Sequence, residues 1–175
     1  MNRETVRALC QLNTEFYERN AASFSQTRTA PWEGWRRCMA ACGFDDSDEA
    51  LGQSMDTQIA DSVLDIACGN LRFEAFLANT YPHVDWSFFA VDNCEPLVAS
   101  SQEGIAKKVH FTCEDIVSNL IEGLPAAEPA NIPALAAATP FDLVVSFGFM
   151  HHIPSFNLRL QFLLEALNQV KPGGY

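Results

Sequence analysis

The sequence predicts an α/β fold: a doubly wound, mostly parallel sheet with helices on both faces and a helical cap at its N-terminal end. Two observations carry this. Short apolar, β-branched runs alternate along the chain with segments of helical periodicity, the pattern of parallel strands joined by crossover helices. Ser62-Val63-Leu64-Asp65-Ile66-Ala67 leads straight into Cys68-Gly69-Asn70 and then the helically spaced Phe73, Phe76 and Leu77, which reads as strand, tight turn and helix.

Val6 to Arg19 and Trp32 to Cys42 are expected as amphipathic helices, the first burying Leu9, Leu12 and Phe16, the second started by Pro31. They make a cap or lid over residues 1–50, ahead of a sheet domain over residues 51–175. Strands are placed at Ser62 to Ala67, Asp85 to Val91, Val109 to Thr112 and Phe141 to Phe147, the last apolar on both faces as an interior strand would be. Further helices are expected around Leu97 to Ala106 and Leu158 to Val170. The Ala- and Pro-rich stretch Ile121 to Thr139 reads as a long surface insertion.

With 175 residues, 48% of them hydrophobic, the chain can bury a sizeable core, which excludes a disordered tail or a coiled coil. No apolar run approaches the roughly 20 residues of a membrane span. Arg3, Glu4, Arg7 and Glu15 occupy the region that a signal peptide would keep apolar, so a soluble cytoplasmic protein is expected. Cys10, Cys38, Cys42, Cys68, Cys94 and Cys113 show no C-x-x-C pairing, which fits buried thiols. Cys38 and Cys42 share a helix face and are read as core packing, with no metal assigned. The net charge of -11 conceals an asymmetry: Met1 to Arg37 holds six arginines against four glutamates, the remainder five basic against eighteen acidic residues. A polynucleotide would therefore be held through a small basic patch or a partner protein.

Ligands of doubly wound sheets bind beyond the carboxyl ends of the strands, which directs attention to Asp65 to Asn70, Asp92, Asp115 and Phe147 to His152. Gly69 allows close backbone approach. A dinucleotide site would place G-x-G-x-x-G here, whereas this chain has Ala67, Gly69 and Arg72 at those spacings, so a nicotinamide-dependent oxidoreductase is disfavoured. S-adenosylmethionine carries an ammonium and a sulfonium and no phosphate, and Asp65 suits it where it would repel a pyrophosphate. Asp92, 23 residues after Gly69, is placed for the ribose hydroxyls, and Asp115 for the adenine amino group; either acid can instead cap the following helix.

Val63-Leu64-Asp65-Ile66-Ala67-Cys68-Gly69-Asn70, Ala90-Val91-Asp92, Glu114-Asp115, Phe141-Asp142-Leu143-Val144-Val145-Ser146 and Val170-Lys171-Pro172-Gly173-Gly174 resemble, in order, the motifs of class I S-adenosylmethionine-dependent methyltransferases. The resemblance implies a Rossmann-like fold, S-adenosyl-L-methionine as cofactor, and cofactor contacts from Asp65, Ala67, Gly69, Asn70, Asp92, Asp115, Phe147 and Gly148. That family usually has glycine at the position of Leu71 and often at Ala67, so a tighter turn is expected. It also continues beyond the position of Tyr175, where a fifth strand begins, which implies that the C-terminal strands are missing from a truncated domain. Phe24-Ser25-Gln26-Thr27-Arg28 with Pro31-Trp32 resembles the corresponding segment of tRNA wobble-uridine methyltransferases and bacterial relatives. There it lies over the cofactor pocket, which implies that Tyr17, Phe24 and Arg28 stand on the substrate side.

Methyl transfer from a sulfonium asks the protein mainly to align the partners and exclude water. A carboxylate acceptor needs only a fork such as Arg28, while an amine or hydroxyl makes His151 a candidate base. Two roles each remain open: Arg28 orients the acceptor or pairs with a carboxylate, and His151 is catalytic or structural. Trp32 and Trp35 read as cap core. A non-catalytic cofactor-binding or scaffolding subunit is the alternative function.

Overall fold

The computed structural model describes residues 2–44, 62–102, 104–123 and 140–175. The expected domain boundary at 50/51 and residues 124–139 of the expected insertion lie outside the described residues. Strands β1 (Ser62–Ile66), β2 (Ser87–Asp92), β3 (Val109–Cys113) and β4 (Leu143–Val145) form one parallel sheet in the order β3-β2-β1-β4. The chain therefore steps outward from β1 to β3 and returns to the other side of β1, which places the switch point between β1 and β4. Asp65 pairs across to Ala90 on one side and Val145 on the other.

The helices are α1 (Arg3–Thr27), α2 (Glu33–Ala41), α3 (Arg72–Thr80), α4 (Glu95–Ala99), α5 (Ile116–Glu122) and α6 (Phe156–Asn168). Strand side chains alternate between two cores, as the period of two requires. Val63, Phe88, Ala90 and Leu143 pack with Trp35, Phe73 and Phe76 of α2 and α3. Leu64, Ile66, Phe89 and Val91 pack on the opposite face with Val6 of α1, Ile116 of α5 and Phe162 of α6. By that alternation Asp65 and Asp92 project to the α3 side. Trp35 anchors the cap, its ring centroid 5.5 Å from Phe73 and 5.6 Å from Phe76.

Several expectations are corrected. The first helix runs on to Thr27, so Phe24 to Thr27 is its last turn rather than a separate strap. Its buried residues are Val6, Cys10, Ala21 and Ser25, while Leu9, Leu12 and Phe16 are exposed, because the helix lies over strand ends and packs through small side chains. Pro31 stands two residues ahead of α2, whose N-cap is Trp32. Trp35 is core as expected, but Trp32 is 57% exposed and packs edge-on to Phe147. The helix expected at Leu97 to Ala106 ends at Ala99 and is followed by a 3₁₀ turn at Ala106–Lys108. Ile116–Glu122 is helical, with Asp115 as its N-cap, where no helix was expected. Cys38 and Cys113 are exposed, whereas Cys10, Cys68 and Cys94 are buried.

The fourth strand is confined to Leu143–Val145. On the side away from β1, Val144 N–H donates to the Tyr175 carbonyl at 2.8 Å and Tyr175 N–H to the Asp142 carbonyl at 2.9 Å. Phe141 makes a single parallel bridge to Val170, and Lys171 pairs with Asp142 at 2.8 Å. α6 buries Phe162 and leaves Leu160, Leu163, Leu164 and Leu167 exposed. Among the described residues, no helix is long and apolar enough to cross a membrane.

Candidate functional site

A cleft of about 330 Å³ opens beyond the carboxyl ends of the strands. The loop after β1 forms its floor, α1 its roof, and the segment after β4 one flank. Every residue the sequence placed in the site lines it: Tyr17, Phe24, Arg28, Asp65, Ala67, Gly69, Asn70, Asp92, Asp115, Phe147, Gly148 and His151.

The floor is built by three left-handed residues in alternation, Ala67 (φ 66°), Gly69 (φ 59°) and Leu71 (φ 56°). Only the middle one is glycine. The turn expected to tighten for want of glycine instead keeps the left-handed path through an alanine and a leucine, each at a cost of roughly 1–2 kcal/mol. What holds it is on either side. Ala67 N–H and Cys68 N–H both donate to the Val91 carbonyl at 2.8 and 3.1 Å, and the Leu71 side chain is 0% exposed. A Cβ built on Gly69 would meet nothing within 4 Å, so the backbone there faces open space.

Asp92 ties this loop to β2. One carboxylate oxygen accepts from Gly69 N–H at 2.8 Å and the other from Cys94 N–H at 2.9 Å. Each oxygen keeps a second lone pair for a ligand hydroxyl. Burial raises the Asp92 carboxyl above its ordinary value, and the amides of Gly69, Cys94 and Asn93 oppose that shift. Asp115 accepts from the Ser118 N–H at 3.0 Å and the Ser118 hydroxyl at 2.7 Å, so it caps α5 while lining the cleft. Asp65 is 3% exposed, and its Oδ1 has no hydrogen-bond partner.

The roof is of opposite character. The Arg28 guanidinium lies 3.8 Å from the centre of the Phe24 ring and donates to the Thr27 hydroxyl at 3.1 Å. Arg72 lines the same cleft, donates to the Ala30 carbonyl at 3.1 Å and rests 5.3 Å above the Trp35 ring. Burial, and then the charge of Arg28, lower its pKa from the ordinary guanidinium value. Tyr17 OH lies 3.0 Å from His152 Nε2, and Phe24 packs edge-on against the Tyr17 ring. Burial, with a further push from His151, holds His152 below its ordinary value and favours the neutral imidazole. The His151 ring lies tilted by 42° against His152 with ring centroids 3.9 Å apart and is itself exposed.

The sequence did not single out His152 as the partner of Tyr17, nor Arg72, Asn13, Thr14 or Trp35 as cleft residues. Strand-end position flagged the His151-His152 pair but could not say which ring the helix 135 residues upstream would engage.

An open parallel sheet with an acid at the ends of β1 and β2, a further acid capping the helix after β3, and a cleft at the switch point defines a nucleoside-binding doubly wound domain. The donor set fits S-adenosylmethionine: the buried carboxyl of Asp65 at the cleft wall for a cationic group, and lone pairs on Asp92 for hydroxyls. Residues 63–174 match the methyltransferase domain model, and the chain belongs to that family.

Solved structures share the fold. The DhpI–SAM–HEP complex is 17% identical with a TM-score of 0.56, over 94% of this chain and 61% of that one. Phosphoethanolamine N-methyltransferase 1 of Haemonchus contortus, in complex with phosphoethanolamine and S-adenosylhomocysteine, is 20% identical with a TM-score of 0.56, over 98% and 31%. The plantazolicin methyltransferase BpumL with SAH is 20% identical with a TM-score of 0.53, over 96% and 55%. The chain thus spans less than two thirds of the length of each. No curated protein sequence matches it. Among the described residues, no group of three or more His, Cys, Asp or Glu side chains could hold a metal ion.

Proposed function

We propose that this chain transfers a methyl group from S-adenosylmethionine to an anionic oxygen, a carboxylate held against the cationic roof of the cleft. The carrying observation is the polarity of the site. Asp65, Asp92 and Asp115 line the cleft at the ends of the strands, and Arg28, at the end of α1, and Arg72, at the start of α3, line it beside them. The cofactor, when bound, supplies a methyl group on a positively charged sulfur that is already a good leaving group. In this reading Asp65 receives its ammonium, Asp92 its ribose hydroxyls and Asp115 its adenine amino group. Ala67, Gly69, Asn70, Phe147 and Gly148 provide the walls.

Arg28 then orients the acceptor. Its guanidinium is held over the Phe24 ring and by the Thr27 hydroxyl, from which it can present N–H groups to a carboxylate. Tyr17, Phe24 and Trp35 exclude water. A carboxylate is ionised at neutral pH and needs no base. The hydrogen bond between Tyr17 and neutral His152 favours a second reading, an amine or hydroxyl acceptor, in which His152 or the neighbouring His151 takes the proton.

The test uses S-adenosylmethionine labelled in its methyl group, the full chain, and separate pools of tRNA and of small-molecule acids and amines. Transfer to a carboxylate makes an ester whose label is released by mild alkali as methanol. Label that survives alkali would rule out the carboxylate and leave the amine or hydroxyl reading. Label in the tRNA pool would identify a carboxylate on a modified uridine, in line with the resemblance of Phe24 to Trp32, and label in the small-molecule pool would exclude it.

A further inference from the structure

Glu74 is the second residue past the start of α3 and is 0% exposed. A helix-surface glutamate would cost nothing there; this one is sealed in, and neither of its carboxyl oxygens has a hydrogen-bond partner. Oδ1 of Asp65 is buried and unpartnered in the same way. Asp65 shares the β1 face of Val63, the face covered by Phe73, Ala75, Phe76 and Leu77 of α3. Its side chain thus lies between the sheet and the helix that carries Glu74, with Asp65 lining the cleft and Glu74 shut off from solvent.

Two ionised carboxylates in one dry site are untenable, since each loses its hydration and repels the other. Burial pushes Glu74 up to about 8, against an opposing pull from its own backbone amide. Burial first, then the charges of Glu74 and Asp92, push Asp65 well above its ordinary value. The other titratable groups bearing on the pair are Asp92 from β2 and the Cys68 thiol from the loop, itself pushed up by burial and by these acids. Neither supplies positive charge. A single proton between the two carboxyls would give partners to oxygens that otherwise have none.

We propose that Glu74 is a positioning residue for the cofactor: it keeps its proton and presents it to the inner oxygen of Asp65, so that the pair carries one negative charge, placed at the cleft wall. The assignment rests on the reading of Asp65 as the partner of the ligand's ammonium. Glu74 never touches the ligand. It donates the hydrogen bond that allows Asp65 to be ionised in a site with little water, much as a protonated acid in an apolar pocket serves as a donor.

The experiment compares wild type, Glu74→Gln and Glu74→Leu by calorimetric titration with S-adenosylhomocysteine over a range of pH, with thermal melts on each protein. Glutamine retains a donor of the same reach, and affinity should stay within about threefold of wild type with the same pH profile below about 8, where Glu74 keeps its proton. Leucine fills the space without a donor; affinity should fall by tenfold or more, and the pH at which binding sets in should move upward, while the melting temperature holds or rises. The ligand's own ammonium titrates identically against all three, so the differences belong to the pair. A leucine variant that binds as wild type does, with the same profile, would overturn the proposal, and so would a glutamine variant as weak as the leucine one. Wild type that binds no S-adenosylhomocysteine at any pH would instead overturn the Asp65 reading beneath it.

Discussion

Replacing each non-glycine left-handed residue of the cleft floor by glycine should affect stability unequally, with little change at Ala67 and a loss at Leu71. At Ala67 (φ 66°) glycine relieves roughly 1–2 kcal/mol of backbone strain. Against this stand the loss of one methyl group, part-buried and so worth about 0.5 kcal/mol, and glycine's greater unfolded-state freedom, about 0.5–1 kcal/mol. The balance lies between about -0.5 and +1 kcal/mol, close to neutral. At Leu71 (φ 56°) the relief is the same, but the side chain is 0% exposed and packs with Phe73 and Leu77. Its removal costs about 2–5 kcal/mol in transfer and cavity energy, and with glycine's unfolded-state freedom added and strain relief deducted Leu71→Gly should destabilise by about 0.5–5 kcal/mol. Denaturant unfolding at matched conditions measures both. In melting temperature, Ala67→Gly should lie between about 2 °C below and about 4 °C above wild type, with Leu71→Gly lower than Ala67→Gly. If Leu71→Gly were as stable as Ala67→Gly, the buried leucine would not be what holds the loop in its left-handed path.

Asp92→Ala removes the acceptor of two loop amides together with the expected ribose partner; S-adenosylhomocysteine affinity should drop at least tenfold by calorimetry, and unchanged affinity would remove the ribose role. Arg28→Ala should lower turnover more than cofactor affinity if the guanidinium orients the acceptor; an equal loss of both would place it on the cofactor instead, and no change in either would make it a surface residue. The pH dependence of stability should carry a mark of His152, whose native pKa lies below its ordinary 6.5. The unfolded chain then takes up a proton before the native state does, so stability should fall as pH drops through 6.5 toward the lowered value and level off beneath it. His152→Gln should flatten that part of the curve, and an unaltered slope would show that another group titrates there.

The segment from Ser62 to Leu77 was legible because each level agrees: an apolar strand, a glycine at the turn, and helical spacing after it. The acids at strand ends were legible for the same reason, since topology alone sends them to the ligand side. What sequence could not show depends on distant packing. The buried side of α1 is made of Val6, Cys10, Ala21 and Ser25, small or polar residues that no hydrophobic pattern picks out, while its large apolar residues face outward. α5 is short, and its start is marked only by an aspartate that also belongs to the cleft. Leu71 carries no local sign of a left-handed backbone; the fold imposes it by burying the side chain. Glu74 looks like any helical glutamate until α3 is laid on β1. Residues 124–139 offered little periodicity to read.

The claim on which all of this stands is that the cleft over β1 and β2 receives S-adenosylmethionine through strand-end carboxylates. Calorimetric titration of the chain with S-adenosylhomocysteine and, separately, with NAD tests it directly. One saturable site for S-adenosylhomocysteine is expected, weakened by Asp92→Ala, with no measurable heat of binding for NAD. Binding of NAD in preference to S-adenosylhomocysteine would contradict it.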